Sequence, residues 1–361
     1  MFFHPKKGKV LLLLIDGLRW DQFGLDIPSL QRLENYGVKA DWLDSVFLTN
    51  TVPNMYSLAT GLYPESHGVI HNQFFNAKTH TLIVDYDDVS NITEFFDTGV
   101  EPLWVSAILA GKKVACFMWA GTAVPVKGVQ CDHVTYQNSW NRENYLPKDQ
   151  VKDAVLWIVE EDFDLVLLAL ELPDKALHKS GIDSDQFHSD LWKVDSILNC
   201  LLDDIDQRGL WETLNVIVVS DHGHATVDPE KFISLTDYID EGDIEFSVVV
   251  NSLFQLKARA AAENKVLRQL RSAHPALHVF KKENFPERFH YGNHPRNLPI
   301  IGYVDIGWHV HLAKKFDPSK DFVNASDHGY DNENMEMKAI FYARGPAFKS
   351  SYRAKPLKTV G

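Results

Sequence analysis

Four apolar runs of strand length lie beside aspartate and histidine residues in this chain. The runs and their neighbours are Lys9 to Ile15 before Asp16, Phe163 to Leu170 before Asp174 and His178, Asn215 to Ser220 before Asp221 and His222, and Met337 to Ala343 after His328. In an open parallel sheet the carboxyl ends of the strands share one edge, so side chains far apart in sequence converge there. The sequence therefore predicts a cluster of aspartate and histidine at one edge of a sheet.

Segments with helical periodicity alternate with these runs. They are Pro28 to Tyr36, Pro102 to Ala110, Pro147 to Glu160 and Asp183 to Gln207. Gly37, Gly111 and Gly209 follow three of them, where left-handed C-caps are expected. Alternation of strands and helices predicts an α/β fold, with a mixed, mostly parallel sheet flanked by helices on both faces.

The pattern changes between residues 229 and 312. Shorter strands are predicted at 246–250, 278–281 and 308–312, with one helix near 258–273. We therefore expect three segments, which are the main part of a large domain over residues 1–228, an inserted cap subdomain over 229–312, and a return to the large domain over 313–361.

The formal net charge of −13 constrains the possible partners. Nucleic acid polymers require a basic surface, so we expect no binding to them. An acidic protein still binds a small phosphate ester when metal ions supply positive charge locally. Charge therefore excludes one class of partner and leaves a small phosphodiester or pyrophosphate open.

Targeting and cysteine signals are weak. The apolar run Val10 to Ile15 is too short for a membrane span or a usual signal-peptide core, so we expect no membrane segment and either a cytosolic protein or one without its leader. Three cysteines, Cys116, Cys131 and Cys200, are expected to be free buried thiols rather than a disulfide framework. Asn91 and Asn324 begin triplets that fit the glycosylation acceptor pattern.

Thr51 lies where an extended segment becomes helical. It is predicted at the N-cap of that helix, with Pro53 just inside. The free backbone N–H groups and partial positive charge of a helix N-terminus suit a phosphate, and a metal ion can activate the threonine hydroxyl as a nucleophile. An ordinary cap is the alternative interpretation, and Thr49 and Thr60 are competing hydroxyls outside the capping position.

Six aspartate and histidine side chains form the predicted metal site. Asp174 and His178 are four residues apart, so a helix would place them on one face. Mixed oxygen and imidazole ligands favour zinc, with manganese as the second choice. The other histidines are expected to be structural or exposed, and they include His67, His71, His188, His224, His309 and His311. His224 is the foremost exception, because it follows Asp221 and His222 so closely.

Several motifs together resemble the ectonucleotide pyrophosphatase/phosphodiesterase family, within the alkaline phosphatase superfamily. These are Val10 to Gly17, Asn50 to Asn54, Thr60 to Gly68, Asp221 to Gly223 and Asp327 to Asn332. The stretches Ala273 to Pro275 and Lys282 to Phe289 look most like the short members that consist of the catalytic domain alone. The resemblance implies an extracellular or lumenal phosphodiesterase with two zinc ions.

The resemblance also implies the roles of individual residues. One zinc would be bound by Asp16, Thr51, Asp221 and His222, and the other by Asp174, His178 and His328. Thr51 would attack phosphorus and form a phosphoryl-threonine ester, and Asn72 would donate a hydrogen bond to a phosphate oxygen. The expected reaction hydrolyses nucleotide-type phosphodiester or pyrophosphate bonds and releases a nucleoside 5'-monophosphate.

The sequence departs from the family pattern near the substrate. Asn50 replaces a lysine, Val52 replaces an aromatic residue, Leu177 replaces a glycine, and Ala123 lacks the acidic group that binds choline. Val52, Tyr136 and Trp140 are the candidate substrate contacts besides Asn72.

Two alternatives remain open. One is a glycerophosphodiester or lysophospholipid phosphodiesterase on the same metal site, and the other is a degenerate member that only binds phosphate ligands. All seven ligand positions are present, which argues against the second alternative. The chain has no motif of a P-loop ATPase, dinucleotide-binding dehydrogenase, metalloprotease or serine hydrolase.

Overall fold

The structure is a computed structural model and describes residues 8–22, 24, 26–76, 81–83, 91–135, 146–312 and 324–361. Its strands are β1 Lys9–Ile15, β2 Val38–Ala40, β3 Leu43–Asp44, β4 Phe74–Asn76, β5 Thr81–Ile83, β6 Val114–Phe117, β7 His133–Thr135, β8 Leu165–Leu170, β9 Leu214–Val219, β10 Ala225–Thr226, β11 Phe232–Ser234, β12 Ile244–Val250, β13 Leu253–Ala258, β14 Leu277–Lys281, β15 Ile300–Val304, β16 His309–His311, β17 Ser326–Asp327, β18 Phe341–Arg344, β19 Tyr352–Ala354 and β20 Leu357–Lys358.

The helices of the described residues are α1 Pro28–Tyr36, α2 Thr51–Thr60, α3 Pro64–His67, α4 Thr93–Phe96, α5 Leu103–Leu109, α6 Pro147–Val159, α7 Asp174–Ser180, α8 Asp185–Gln207 and α9 Glu263–Arg271. Short 3₁₀ turns lie at Leu210–Glu212, Leu235–Asp237, Glu241–Asp243, Lys282–Asn284, Glu287–Phe289 and Met335–Met337. None of the helices in these ranges combines the length and apolar character that crossing a bilayer requires.

An eight-stranded mixed sheet forms the centre of the fold, in the order β19-β2-β18-β9-β1-β8-β6-β7. The five strands from β9 to β7 are parallel, and β18 runs antiparallel to both of its neighbours. Helices α1, α6 and α8 pack together and onto β18 and β8, whereas α2 and α5 pack together beside β6. The predicted α/β class, with its mostly parallel sheet and flanking helices, is confirmed.

Three central strands bring the predicted aspartates to one edge. β1 is buried almost throughout, and Ile15 pairs with Leu170 of β8 while Leu14 pairs with Val219 of β9. The carboxyl ends of the three strands therefore lie side by side. Asp16 continues this pairing, because its N–H donates to the carbonyl oxygen of Leu170 at 2.9 Å.

A second, four-stranded sheet has the order β12-β13-β15-β14, and its residues contribute to hydrophobic clusters separate from the main core. Every partner pair in this sheet is antiparallel. It contains the predicted strands near 246–250 and 278–281, together with β13 and β15, which sequence periodicity did not reveal. The division of the chain into a large domain and an inserted cap subdomain, with boundaries at residues 228 and 312, stays a prediction.

Two local expectations were wrong. The run Met337 to Ala343 is not one strand, because Met335–Met337 forms a 3₁₀ turn and only Phe341–Arg344 pairs in the sheet. Gly37 has φ −146° and is not a left-handed cap. Its missing side chain serves close packing instead, since an added Cβ would lie 2.1 Å from the carbonyl oxygen of Ala343.

The expectation of free thiols was also wrong for two of the three cysteines. Cys116 and Cys131 form a disulfide with a Cα–Cα distance of 6.1 Å, and Cys200 remains free. Cys116 lies in β6 and Cys131 just before β7, and these strands are neighbours in the sheet. Parallel pairing thus brings together two cysteines whose separation of 15 residues carries no signal by itself.

Removing this disulfide should destabilise the fold. For a closed loop of about 15 residues, the Cys116→Ala/Cys131→Ala double variant should lose roughly 3 kcal/mol of unfolding free energy in urea titration. Cys200→Ala is the matched control and should change little, because Cys200 is unpaired. A reductant should destabilise the wild type but not the double variant; equal stability of all three proteins would contradict the structural role of the bond.

Candidate metal centre and active site

The first group of candidate ligands consists of Asp16, Thr51, Asp221 and His222. His222 Nε2 lies 3.6 Å from Asp16 Oδ1, 3.3 Å from Asp221 Oδ2 and 3.2 Å from Thr51 Oγ1. Two atoms bound to one tetrahedral zinc are about 3.3 Å apart, as follows from bond lengths near 2.0–2.2 Å. His222 therefore lies at ligand spacing from each of the other three side chains.

The second group consists of Asp174, His178 and His328, which also have ligand spacing. Asp174 Oδ1 lies 3.4 Å from His178 Nε2 and 3.6 Å from His328 Nε2. Asp174 and His178 lie one turn apart on α7. The presence of Leu177 between them, in place of the glycine of the family pattern, leaves their spacing intact. The ring of His328 stacks on that of His222 at 3.8 Å, which places the two groups side by side.

Backbone carbonyl groups orient all three candidate histidine ligands. Nδ1 of His178, His222 and His328 lies 3.2, 3.1 and 3.0 Å from the carbonyl oxygens of Ser326, Gly223 and Thr49, respectively. In each case Nδ1–H donates to the carbonyl, which leaves Nε2 as the ring nitrogen available to a metal ion. Such a bond to the far ring nitrogen is the usual support of a metal-binding histidine.

Orphaned carboxylate oxygens support a cation in the first group. Asp221 Oδ1 accepts a hydrogen bond from the N–H of Gly17 at 3.0 Å. Its other oxygen, Oδ2, and Asp16 Oδ1 are buried and receive no hydrogen bond from the described residues. Buried carboxylate oxygens are stable when they are paired or coordinate a metal. Together with imidazole nitrogen, these oxygens are a donor set that suits zinc.

The charges of the two groups differ. Burial, reinforced by the nearby charge of Asp221, raises the pKa of Asp16 well above its usual value. Burial also acts to raise the pKa of Asp174, but the interaction with His178 and the hydrogen bonds from His178 and His224 outweigh it and hold that pKa well below its usual value. A cation in the first group would relieve the repulsion between Asp16 and Asp221.

Thr51 is the first residue of α2 rather than its N-cap, so the predicted boundary was wrong by one residue. Asn50 is the N-cap, and its side chain makes no capping hydrogen bond. The Thr51 hydroxyl instead lies 3.2 Å from His222 Nε2. The alternative of an ordinary threonine cap therefore does not describe this residue.

The two competing threonine hydroxyls have local roles. Thr49 Oγ1 donates to the carbonyl oxygen of Tyr330 at 3.0 Å and is fully buried. Thr60 Oγ1 donates to the carbonyl oxygen of Tyr56 at 2.7 Å, at the opposite end of α2. Of the three hydroxyls, that of Thr51 is the one that joins the candidate ligands.

A cavity of about 540 Å³ lies over both groups. Its wall includes Thr51 and Asn72, the apolar side chains of Leu14, Met55, Met118 and Val250, and the charged residues Glu171 and Lys175. This volume is in the range of small-molecule sites. The cavity is thus large enough for a substrate whose phosphate faces Thr51.

Asn72 is held by the helix that begins at Thr51. Its Oδ1 accepts a hydrogen bond from the N–H of Val52 at 2.9 Å, which leaves the Nδ2 donor for a ligand. The side chain of Val52 is fully buried in the main core, so it has no surface to offer a substrate. The predicted contacts of Tyr136 and Trp140 lie outside the described residues.

Two histidines expected to be structural or exposed lie at the site. His71 is buried and lines the cavity, and burial lowers its pKa to about 4. His224, the foremost exception, lies with Asp174, His178 and His328 in one group of potential metal ligands. In the sequence, the closeness of His224 to Asp221 and His222 was the only indication that it lies at the site. For His71 the only indication was its neighbour Asn72.

Comparison with known proteins identifies the family. Residues 10–331 match the family described as type I phosphodiesterase / nucleotide pyrophosphatase. The chain belongs to this family. Mouse ectonucleotide pyrophosphatase/phosphodiesterase family member 7 is 34% identical over 98% of this chain and 81% of its own length. Mouse bis(5'-adenosyl)-triphosphatase is 31% identical over 98% of this chain and 75% of its own length.

A solved structure agrees with this assignment. Murine ectonucleotide pyrophosphatase/phosphodiesterase 5, as an inactive variant in complex with AMP, matches with a TM-score of 0.89 and 30% identity over 98% of this chain and 92% of its own. The family resemblance read from the motifs is therefore confirmed.

Without bound metal, this protein should become more stable when the charge of Asp16 is removed. Because the folded-state pKa of Asp16 is raised, its ionisation costs stability as pH rises through that pKa. In chelator-treated protein at neutral pH, Asp16→Asn should gain on the order of 1–3 kcal/mol in chemical unfolding, and the gain should fade as the pH falls. Asp228→Asn, at a side chain that is 46% exposed, is the control. A loss of stability in metal-free Asp16→Asn would contradict the prediction.

Proposed function

We propose that this chain is a two-zinc phosphodiesterase and pyrophosphatase that hydrolyses nucleotide-type phosphodiester or pyrophosphate bonds and releases a nucleoside 5'-monophosphate. The observation that carries the proposal is the position of Thr51. Its hydroxyl lies at the N-terminus of α2, 3.2 Å from His222 Nε2, and lines the cavity of about 540 Å³. A hydroxyl among candidate metal ligands at a helix N-terminus supports the assignment of Thr51 as the nucleophile.

The proposed metal ligands follow the two groups. Asp16, Thr51, Asp221 and His222 would hold one zinc, and Asp174, His178 and His328 would hold the other. Two bound zinc ions would supply Lewis-acid stabilisation of the charge on the attacking and departing oxygens. Manganese is the second choice for the same mixed oxygen and nitrogen donors.

The protein residues then act in two steps. The hydroxyl proton of Thr51 passes to water as Oγ attacks phosphorus in line. The bond from phosphorus to the leaving oxygen breaks, that oxygen leaves with the electron pair, and the nucleotidyl group becomes an ester of Thr51. Asn72 Nδ2 and the Thr51 N–H donate to the non-bridging oxygens as their charge grows. Water next attacks the same phosphorus and breaks the bond to Thr51, which frees the nucleoside 5'-monophosphate and restores the hydroxyl.

Related proteins support both the nucleophile and the nucleotide. The murine structure contains AMP and is described as an inactive threonine-to-alanine variant, and another relative is named for hydrolysis of bis(5'-adenosyl) triphosphate.

The apolar part of the cavity wall, with Leu14, Met55 and Met118, favours a second candidate, a glycerophosphodiester or lysophospholipid phosphodiesterase on the same site. No nucleic acid polymer is expected as a partner, given the charge of −13.

We propose an extracellular or lumenal location. The Cys116–Cys131 disulfide is typical of oxidising compartments, and the family names of the relatives denote ectoenzymes. Asn91 is exposed and is the better glycosylation acceptor. Asn324 is less suited, because its Nδ2 donates to Asp327 Oδ2 at 3.0 Å.

Replacing the nucleophile should remove turnover without unfolding the protein. Thr51→Ala should lower kcat by on the order of 10³-fold or more, as loss of a covalent nucleophile does, and Thr51→Ser should recover part of the rate. Thr60→Ala, at the other end of α2, is the matched control. Intact mass spectrometry of rapidly quenched Thr51→Ser would seek the nucleotidyl ester; near-normal turnover by Thr51→Ala would refute the assignment.

A substrate panel should separate the two candidate functions. With zinc present, a dinucleoside polyphosphate, NAD and ATP should each yield AMP by chromatography, and glycerophosphocholine should react more slowly. A chelator should abolish these reactions and added zinc should restore them. Faster cleavage of glycerophosphocholine would favour the lipid-type alternative, and full activity in chelator would overturn the metal proposal.

A further inference from the structure

His224 lies two residues after His222 but faces the other group of candidate ligands. Its side chain is fully buried, and its Nε2 lies 2.7 Å from Asp174 Oδ1. The backbone fixes this placement, because Arg19 Nη1 donates to the His224 carbonyl oxygen at 2.9 Å and the next residue, Ala225, pairs with Asp327. The position of the imidazole is therefore set by the sheet and by Arg19.

The distances around Asp174 separate His224 from the proposed ligands. Asp174 Oδ1 lies 3.4 and 3.6 Å from His178 and His328, close to the spacing of about 3.3 Å between ligands of one tetrahedral zinc. At 2.7 Å, His224 Nε2 is too close for that spacing and is at hydrogen-bond distance. We infer that His224 is a positioning residue for the second metal site, which donates Nε2–H to Asp174 and is not itself a ligand.

The other ring nitrogen of His224 makes the weaker of its two side-chain contacts. The proposed histidine ligands donate Nδ1–H to backbone carbonyls, whereas His224 Nδ1 lies 3.3 Å from Ser326 Oγ. That hydroxyl donates to the Leu177 carbonyl oxygen at 2.7 Å, so it could only accept from Nδ1–H, and the two ring nitrogens compete for one proton. A neutral imidazole has one N–H, and the shorter contact with a carboxylate is the stronger bond, so the proton belongs on Nε2.

Gly17 provides a second, independent observation. A Cβ at this position would lie 3.0 Å from His224 Nε2 and 3.1 Å from Asp174 Oδ1, and Gly17 has a φ of +72°. The residue after Asp16 thus leaves open the space in which the histidine meets the carboxylate. A side chain here would push the two groups apart.

The consequence concerns the affinity of one site, and it rests on the proposed function in taking that site to bind zinc. The hydrogen bond restricts the rotamer of Asp174, so that Oδ1 stays at ligand spacing from His178 and His328. Loss of such a supporting bond typically weakens metal binding 10–100-fold. The first group, with Asp16, Asp221 and His222, should keep its affinity.

Two variants test this assignment. His224→Gln retains an N–H donor at a similar reach, and His224→Met fills a similar volume without one. Zinc binding is measured by competition with a chromophoric chelator, without substrate. His224→Met should weaken one of the two zinc sites 10–100-fold and leave the other unchanged, and His224→Gln should recover most of the loss. His188→Met, on α8 with a side chain 44% exposed, is the control.

The outcomes distinguish the possible roles. Equal zinc affinity in wild type and His224→Met would overturn the inference. If His224→Gln fails to recover binding and also shifts the visible spectrum of the cobalt-substituted protein, then His224 is a ligand and the inference is again wrong. A wild type that binds two zinc ions and cleaves no phosphodiester would refute the proposed function while leaving the result on His224 intact.

Discussion

Parallel pairing of β1 with β8 and β9 is the interaction on which the site depends. The three strands are almost entirely apolar, and their register places Ile15 beside Leu170 and Leu14 beside Val219. A slip by one residue would draw a charged residue such as Lys9 or Asp16 into the apolar sheet, so the polar residues at the strand ends fix the register. The ends of the strands are fixed with it, and so are the polar residues that follow them.

This arrangement places carboxylates where they are unfavourable on their own. Asp16 and Asp221 are held close together, and burial together with their mutual repulsion raises the pKa of Asp16. The large core beneath the sheet keeps them in place despite this cost. Stability of the scaffold thus supports a site that a divalent cation would complete, as is common where function requires like charges to meet.

The sequence predicted the features that depend on local pattern. The apolar runs gave the central strands, and the residues at their ends do converge, because topology brings the carboxyl ends of parallel strands together. Features that depend on contacts between distant segments were missed. The Cys116–Cys131 disulfide required the pairing of β6 with β7, and β13 and β15 required knowledge of the second sheet. For His224, closeness in sequence to His222 suggested a role but gave no partner.

The loop from Asp221 to His224 has a consequence for the geometry of the whole centre. Asp221 and His222 face the first group, while His224 contacts Asp174 of the second. Four consecutive residues cannot separate by more than their covalent length, roughly 3.5 Å for each residue. The two candidate ligand groups are therefore both connected to one short piece of backbone, which limits how far apart they can move.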